Sequence, residues 1–211
     1  GHTHFDHVLD FPEILRRTGV SAVGSESLRT YLTACGGADQ AVVARAGETV
    51  ALTDTVAVTM LPSRHALLML GRAPYPGEIK PGGQPPFSAD YFRHGAVFAP
   101  LVTMGDARVL HLGSANLIDS ALAGVECDAV FVALPGWRRV REFVPRLLGA
   151  VRTRQVVLFH FDDMTAPLRL DRTAPLLPFL DIHEFTAEVR RVAPKVAVVV
   201  PRPYEAIPIG F

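Results

Sequence analysis

Cysteine is almost absent from this chain. The two that occur, Cys35 and Cys127, stand far from the C-x-x-C spacing of a zinc ribbon or a redox motif. They read as small buried residues, with a single disulfide as the alternative. A surplus of charge is also missing: 21 Lys and Arg face 21 Asp and Glu, and no block of one sign occurs. That balance argues against a nucleic-acid partner gripped through its phosphates. No run of about 18 apolar residues interrupts the charged positions, so the sequence offers no transmembrane segment. Neither G-x-S-x-G nor G-x-x-x-x-G-K-[ST] is present, which leaves serine-hydrolase and nucleoside-triphosphatase readings without a motif. What remains is a 211-residue chain, 49% hydrophobic, long enough for one sizeable core and better suited to one large α/β domain than to two small ones.

Histidine is where the sequence is rich. The first seven residues, GHTHFDH, hold His2, His4, Asp6 and His7. Gly-His alone is what a purification tag leaves behind, but a tag does not account for His4, Asp6 and His7. From this chain's own composition, H-x-H-x-D-H should arise by chance in on the order of one such sequence in a thousand. In an extended segment, residues two apart share a side, so His2, His4 and Asp6 would face one way and His7 a neighbouring point. Imidazole and carboxylate are ligands that zinc accepts, with iron or manganese as alternatives, and a catalytic site keeps one position open for water. The following VLDFPEILRRTG predicts a helix that starts near Pro12 and stops at Gly19, which places the cluster in a loop before a helix.

Further on, short strands and helices alternate. GVSAV, AVVAR and TVAVTML read as strands, and ESLRTYLTA as a helix. AVFAPLVT and ARVLHLG read as two strands joined at Gly105-Asp106. LIDSALAG predicts a short helix, AVFVAL a buried strand, REFVPRLLGAV a helix despite Pro145, and QVVLF and KVAVVV two more strands. This order suits a layered α/β fold. RRVRE at 138–142, beside Trp137, reads as the solvated face of a helix. Residues 71–95 form a compositional break whose Pro and Gly forbid regular structure. A flap or insertion near the mouth of a site is favoured over a linker, with Tyr75, Phe87, Tyr91 and Phe92 offering apolar surface to a substrate. His94, at the end of this stretch, is the rival of His65 as a ligand, and His183 lies on a helical segment away from the cluster.

H-x-H-x-D-H in a loop before a helix resembles the signature of the metallo-β-lactamase-fold hydrolases, and three later stretches fall in that family's order. In LPSRHALLML, His65 resembles the third histidine of a first metal site, most of all in the branch of N-acyl-phosphatidylethanolamine phospholipase D and the ascorbate lactonases. VLHLGSANLID resembles the strand that ends in Gly-Asp-Thr. VVLFHFDD ends in His160, which resembles the last metal histidine. The resemblance implies an αββα sandwich over residues 1–211 with 71–95 as its insertion. It also implies strands ahead of the histidine motif that this chain does not contain, so the N-terminal part is expected to be missing. His2, His4 and His65 are then expected to hold one zinc, and Asp6, His7 and His160 a second.

One match departs from the pattern. Where the family carries an aspartate that bridges two metals, this chain has Gly113-Ser114, and a neutral hydroxyl is a poor substitute for a carboxylate. The second site is therefore expected to be weak. Asp119 is the residue that would substitute as a ligand, His111 reads as a hydrogen-bonded core or ligand-orienting residue more than as a ligand, and Asp162 and Asp163 each either orient a ligand or cap the following turn. The implied chemistry is hydrolysis of an ester-like bond by metal-bound hydroxide, with Asp6 orienting it or moving its proton. The LPSRH resemblance favours a phosphodiester or lactone in a small or lipid-like molecule over a β-lactam. The alternative is a binding or structural protein of the same fold whose chemistry has decayed.

Overall fold

The computed structural model describes residues 1–68, 70–167 and 174–209. A helical turn, α1 (Phe5–Val8), lies in the stretch read as a loop and precedes α2 (Phe11–Thr18), the helix expected to start near Pro12 and stop at Gly19. Pro12 falls in the first turn of α2, where its missing N–H breaks no bond, and Gly19 closes the helix at φ 69°. β1 (Ala22–Gly24) and β2 (Ala41–Val43) pair in parallel across α3 (Glu26–Ala34).

The main sheet then builds outward from a meander. β3 (Thr49–Ala51), β4 (Val56–Pro62), β5 (Phe98–Met104) and β6 (Ala107–Leu112) run antiparallel. β5 and β6 turn back on each other at Gly105-Asp106, with Met104 facing Ala107 and Gly105 at φ 58°. A short helix, α4 (Asp119–Leu122), and the two-residue strand β7 (Val125–Glu126) lead to β8 (Ala129–Ala133), which lies parallel to β6. α5 (Phe143–Ala150) crosses to β9 (Val151–Arg152), the partner of β7, and then β10 (Gln155–Phe159) joins β8 in parallel. α6 (Ile182–Val192) crosses last to β11 (Ala197–Val199). The seven-stranded order is β11-β10-β8-β6-β5-β4-β3.

The two kinds of pairing explain two kinds of sequence. AVFVA and QVVLF are unbroken apolar runs because β8 and β10 have a parallel neighbour on each side and helices overhead. On one face Leu101, Leu110, Leu112, Val130, Val132, Val156 and Leu158 pack against Phe143, Leu147, Phe185 and Val189 of α5 and α6. The other face is less covered: Val58 and Met60 are buried there, while Val109, His111, Phe131 and Phe159 stay partly open. A separate core joins α2 and α3 to residues 71–95 through Leu15, Leu28, Tyr31, Ile79 and Phe92. The stretch 71–95 is thus pinned to α3. Phe87 and Phe92, expected to face a substrate, instead pack on Tyr31, and Tyr91 stacks on Phe87. Both cysteines are free thiols. Among the described residues no helix is long and apolar enough to cross a membrane.

Three strands that the sequence reading passed over, β3, β7 and β9, are two or three residues long. Runs that short carry no readable alternation. α6 shows its start clearly, with the Asp181 carboxylate accepting from the His183 and Glu184 amides. Phe185 on this helix is fully buried and meets Trp137 edge to face at 5.2 Å. Phe185→Ala is expected to lower the unfolding free energy by about 3–5 kcal/mol. Urea titration followed by Trp137 fluorescence measures it, and a loss under about 1 kcal/mol would mean that α6 does not close this core.

Candidate metal centre

Because β4 and β6 run in the same sense as β8 and β10, all four strands end on one edge of the sheet. The segments that leave that edge carry His65, Gly113-Ser114, Pro135 to Arg139, and His160. Ligand sites in α/β sheets form at this edge, where loops are freed from the ladder. The N-terminal residues are brought to the same place by backbone bonds: the Phe98 amide donates to the Gly1 carbonyl at 2.8 Å, and the Thr3 amide to the His94 carbonyl at 3.0 Å. The Thr3 hydroxyl adds a bond to the Arg93 carbonyl at 2.5 Å.

Two groups of ligand-type side chains result. One nitrogen each of His2, His4 and His65 lies within 4.8 Å of the others, all three residues being buried. One atom each of Asp6, His7 and His160 meets the same limit in a more open position. The extended-segment argument holds only as far as His4, since α1 begins at Phe5 and turns Asp6 away to join His7 and His160. His160 Nε2 donates to Asp6 Oδ2 at 3.0 Å, and His7 Nε2 lies 3.5 Å from the same oxygen. To point that way His160 takes φ 56°, a left-handed conformation that costs a non-glycine residue about 1–3 kcal/mol.

Hydrogen bonds fix which nitrogens stay available. His4 Nε2 donates to the Pro74 carbonyl at 3.0 Å, and His65 Nδ1 to the Ala66 carbonyl at 2.8 Å, so each ring keeps its second nitrogen as a lone-pair donor. His2 has no partner at either ring nitrogen although both are buried. Burial, reinforced by His7 and the neighbouring histidines, drives the His2 imidazolium well below its usual range. Burial likewise lowers His4, brings His65 to about 4, and brings His7 to about 3. For Asp6 burial works upward, but the His160 hydrogen bond and the fields of His7 and His160 outweigh it and hold the carboxyl at about 2. With His7 neutral at pH 7, the His160 bond is the contact that matters.

The remaining sequence candidates sort differently. Ser114 Oγ accepts from the Ala66 amide at 2.8 Å, and Asn116 Nδ2 donates to the His65 carbonyl at 3.0 Å. One peptide group, between His65 and Ala66, is therefore held at both ends by the segment after β6. Sequence reading missed Asn116, for which only its nearness to the Gly113-Ser114 turn gave a signal. Asp119 does not substitute as a ligand: it pairs with Arg146 at 2.5 Å on an exposed helix end. His111 packs on Phe159 at 4.7 Å, outside both groups. Asp162 bridges to Leu176 through its backbone, and the Asp163 carboxylate caps Thr165. His94 stacks on His65 at 5.9 Å, as a neighbour of the first group. Arg139, read as part of a solvated helix face, instead lines the cavity beside the two groups.

No protein-family model matches the sequence, and no curated protein is similar enough to count as a relative. Solved structures do match. Igni18, a metallo hydrolase from the hyperthermophilic archaeon Ignicoccus hospitalis, aligns over 98% of this chain and 76% of its own at TM-score 0.60 and 18% identity. YhfI from Bacillus subtilis, a metallo-β-lactamase-fold protein, aligns over 95% and 73% at TM-score 0.54 and 12% identity. This chain has the metallo-β-lactamase fold. A third match is the Zn(2+)-bound PqqB of Methylobacterium extorquens, over 93% and 68% at TM-score 0.51 and 14% identity.

The depressed imidazoles set the acid limit of the metal-free fold. An unfolded histidine takes up its proton near pH 6.5, whereas the folded chain refuses it down to about pH 4 at His65 and His111 and about pH 3 at His7. Their contribution to stability is present above pH 6.5 and lost as pH falls, by at most about 1.4 kcal/mol per pH unit for each group. Asp6 adds its own loss only between 3.8 and about 2. Urea unfolding of metal-free protein at pH 7.5, 6.0 and 5.0 is expected to show a steady fall, made shallower by His111→Gln. A flat profile over that range would contradict the neutral cluster.

Proposed function

We propose that this protein is a metal-dependent hydrolase acting on an ester-like bond, with a phosphodiester or lactone favoured, in a small or lipid-like substrate. The observation that carries the reading is His2, buried with both ring nitrogens unpartnered beside His4 and His65. A buried polar atom left without a partner costs about 1–3 kcal/mol. A dication among three neutral imidazoles would partner the lone-pair nitrogen of His2 and remove that part of the cost. The donor set fits zinc, with iron or manganese as alternatives, and the zinc-bound PqqB structure supports the choice of metal within this fold. His2, His4 and His65 would hold the first ion, and Asp6, His7 and His160 a second, weaker one. A bound ion supplies a water made acidic to about pKa 7 and polarises the oxygen under attack.

The chain's own residues do the rest. Asp6 is ionised at neutral pH, keeps 17% side-chain exposure, and already accepts from His160. It is placed to take a proton at its carboxylate and release it to solvent. The Ser114 and Asn116 bonds hold the His65 peptide rigid, which fixes the first group when substrate enters. The second group has no carboxylate at position 114 to share with the first, and this supports a weaker second ion.

Zinc titration of metal-free protein is expected to give one tight and one weaker equivalent. His65→Gln should weaken the tight one by more than about 100-fold, and Asn116→Ala by about 10–100-fold, the range for partners that orient a ligand. Zinc-loaded protein should hydrolyse at least one member of a panel of lactones, phosphodiesters and thioesters, and His65→Gln should not. Tight zinc binding with no turnover anywhere on the panel would favour the binding-protein alternative.

A further inference from the structure

The two groups open into a cavity of about 510 Å³, within the range of about 300–1,000 Å³ that small-molecule sites span. Its walls are apolar: Phe5, Leu68, Tyr75, Met164, Leu177 and Phe179. Phe5, Tyr75, Met164 and Phe179 are also exposed at its rim, Phe179 by 72%. Against this greasy lining stands one cationic side chain, Arg139, the sole Lys or Arg among the described residues that line the cavity.

Local geometry sends Arg139 there. After β8 the chain turns at Pro135-Gly136, with Gly136 at φ 88° and so close to Leu68 and Ala66 that a Cβ would lie 2.7 and 3.0 Å from them. A 3₁₀ turn over Trp137–Arg139 follows, and its successive side chains point about 120° apart. Trp137 goes inward to Phe185, Arg138 pairs with Glu184 of α6, and Arg139 is left facing the cavity. A guanidinium is always charged and presents a planar fork that matches the oxygens of a carboxylate or phosphate.

We propose that Arg139 is the substrate-anchoring residue of this site and selects an anionic amphiphile: an apolar body against the cavity wall, with a carboxylate or phosphate gripped by the guanidinium. The proposal rests on the hydrolase reading for what happens to that molecule, and on the cavity alone for how it is held. A neutral ester or lactone of the same size would fill the same apolar wall and leave the guanidinium in water, so it should bind more weakly.

Calorimetric titration of the zinc-loaded protein with hexanoate, hexyl phosphate and 1-hexanol tests this. Arg139→Gln should weaken the better anion by about tenfold or more and leave hexanol unchanged, while Arg139→Lys should keep part of the affinity. The anion that loses more in Arg139→Gln identifies which oxyacid the fork prefers. Equal affinity of wild type and Arg139→Gln for both anions, in variants with unchanged melting temperature, would overturn the proposal. Hydrolysis of neutral 4-nitrophenyl hexanoate is followed in parallel. Turnover with anion binding indifferent to Arg139 would sink this inference and spare the hydrolase. Anion binding that depends on Arg139 in a protein that hydrolyses nothing would do the reverse.

Discussion

Three imidazoles crowded into one dry space are the constraint on which the rest of the site depends. The rings of His2, His4 and His65 lie 4.6–4.8 Å apart. At that spacing, and with burial, none can carry a proton near neutral pH without raising the energy of the others. Burial keeps the rings neutral, and backbone bonds fix which nitrogen of each ring carries its proton. The Pro74 carbonyl takes a proton from His4 and the Ala66 carbonyl takes one from His65. The residue without such a bond is His2. It is the weak point of the metal-free protein and the strongest argument for a cation at its centre.

The sheet provides the platform. Four strands that end on one edge deliver His65, the Ser114 to Asn116 clamp, Arg139 and His160 to a common mouth, and the first three residues are stitched beside β5 to add the rest. Precision comes from this division. Strand ends fix the backbone, while side chains such as Asn116 and Ser114 hold a single peptide at both ends. The stretch 71–95 serves the site mainly through its anchors, Pro74 and Tyr75 at the cavity and Arg93 and His94 against Thr3.

Much of this was legible in the sequence because spacing carries it. The α/β order, the buried strands AVFVA and QVVLF, and the boundaries of α3 follow from apolar patterning and from Gly and Pro positions. The H-x-H pair is local and needs only two residues of extended chain. What could not be read depends on contacts across the fold. Asp6 leaves its neighbours because a helical turn starts at Phe5, inside the stretch read as a loop. Ser114 looked like a mere loss of charge, yet its hydroxyl holds Ala66, some fifty residues away in sequence. Arg139 was hidden in RRVRE, since nothing local distinguishes a solvated arginine from one that a 3₁₀ turn aims into a cavity.

The central claim is that His2, His4 and His65 together form a zinc site. X-ray absorption at the zinc edge, on protein carrying one equivalent, tests it most directly. The expected result is a first shell of three imidazole nitrogens at about 2.0–2.1 Å with one oxygen from solvent. A shell with two imidazoles or fewer and oxygen in the remaining positions would place the ion elsewhere, at Asp6, His7 and His160 or on the surface, and contradict that claim.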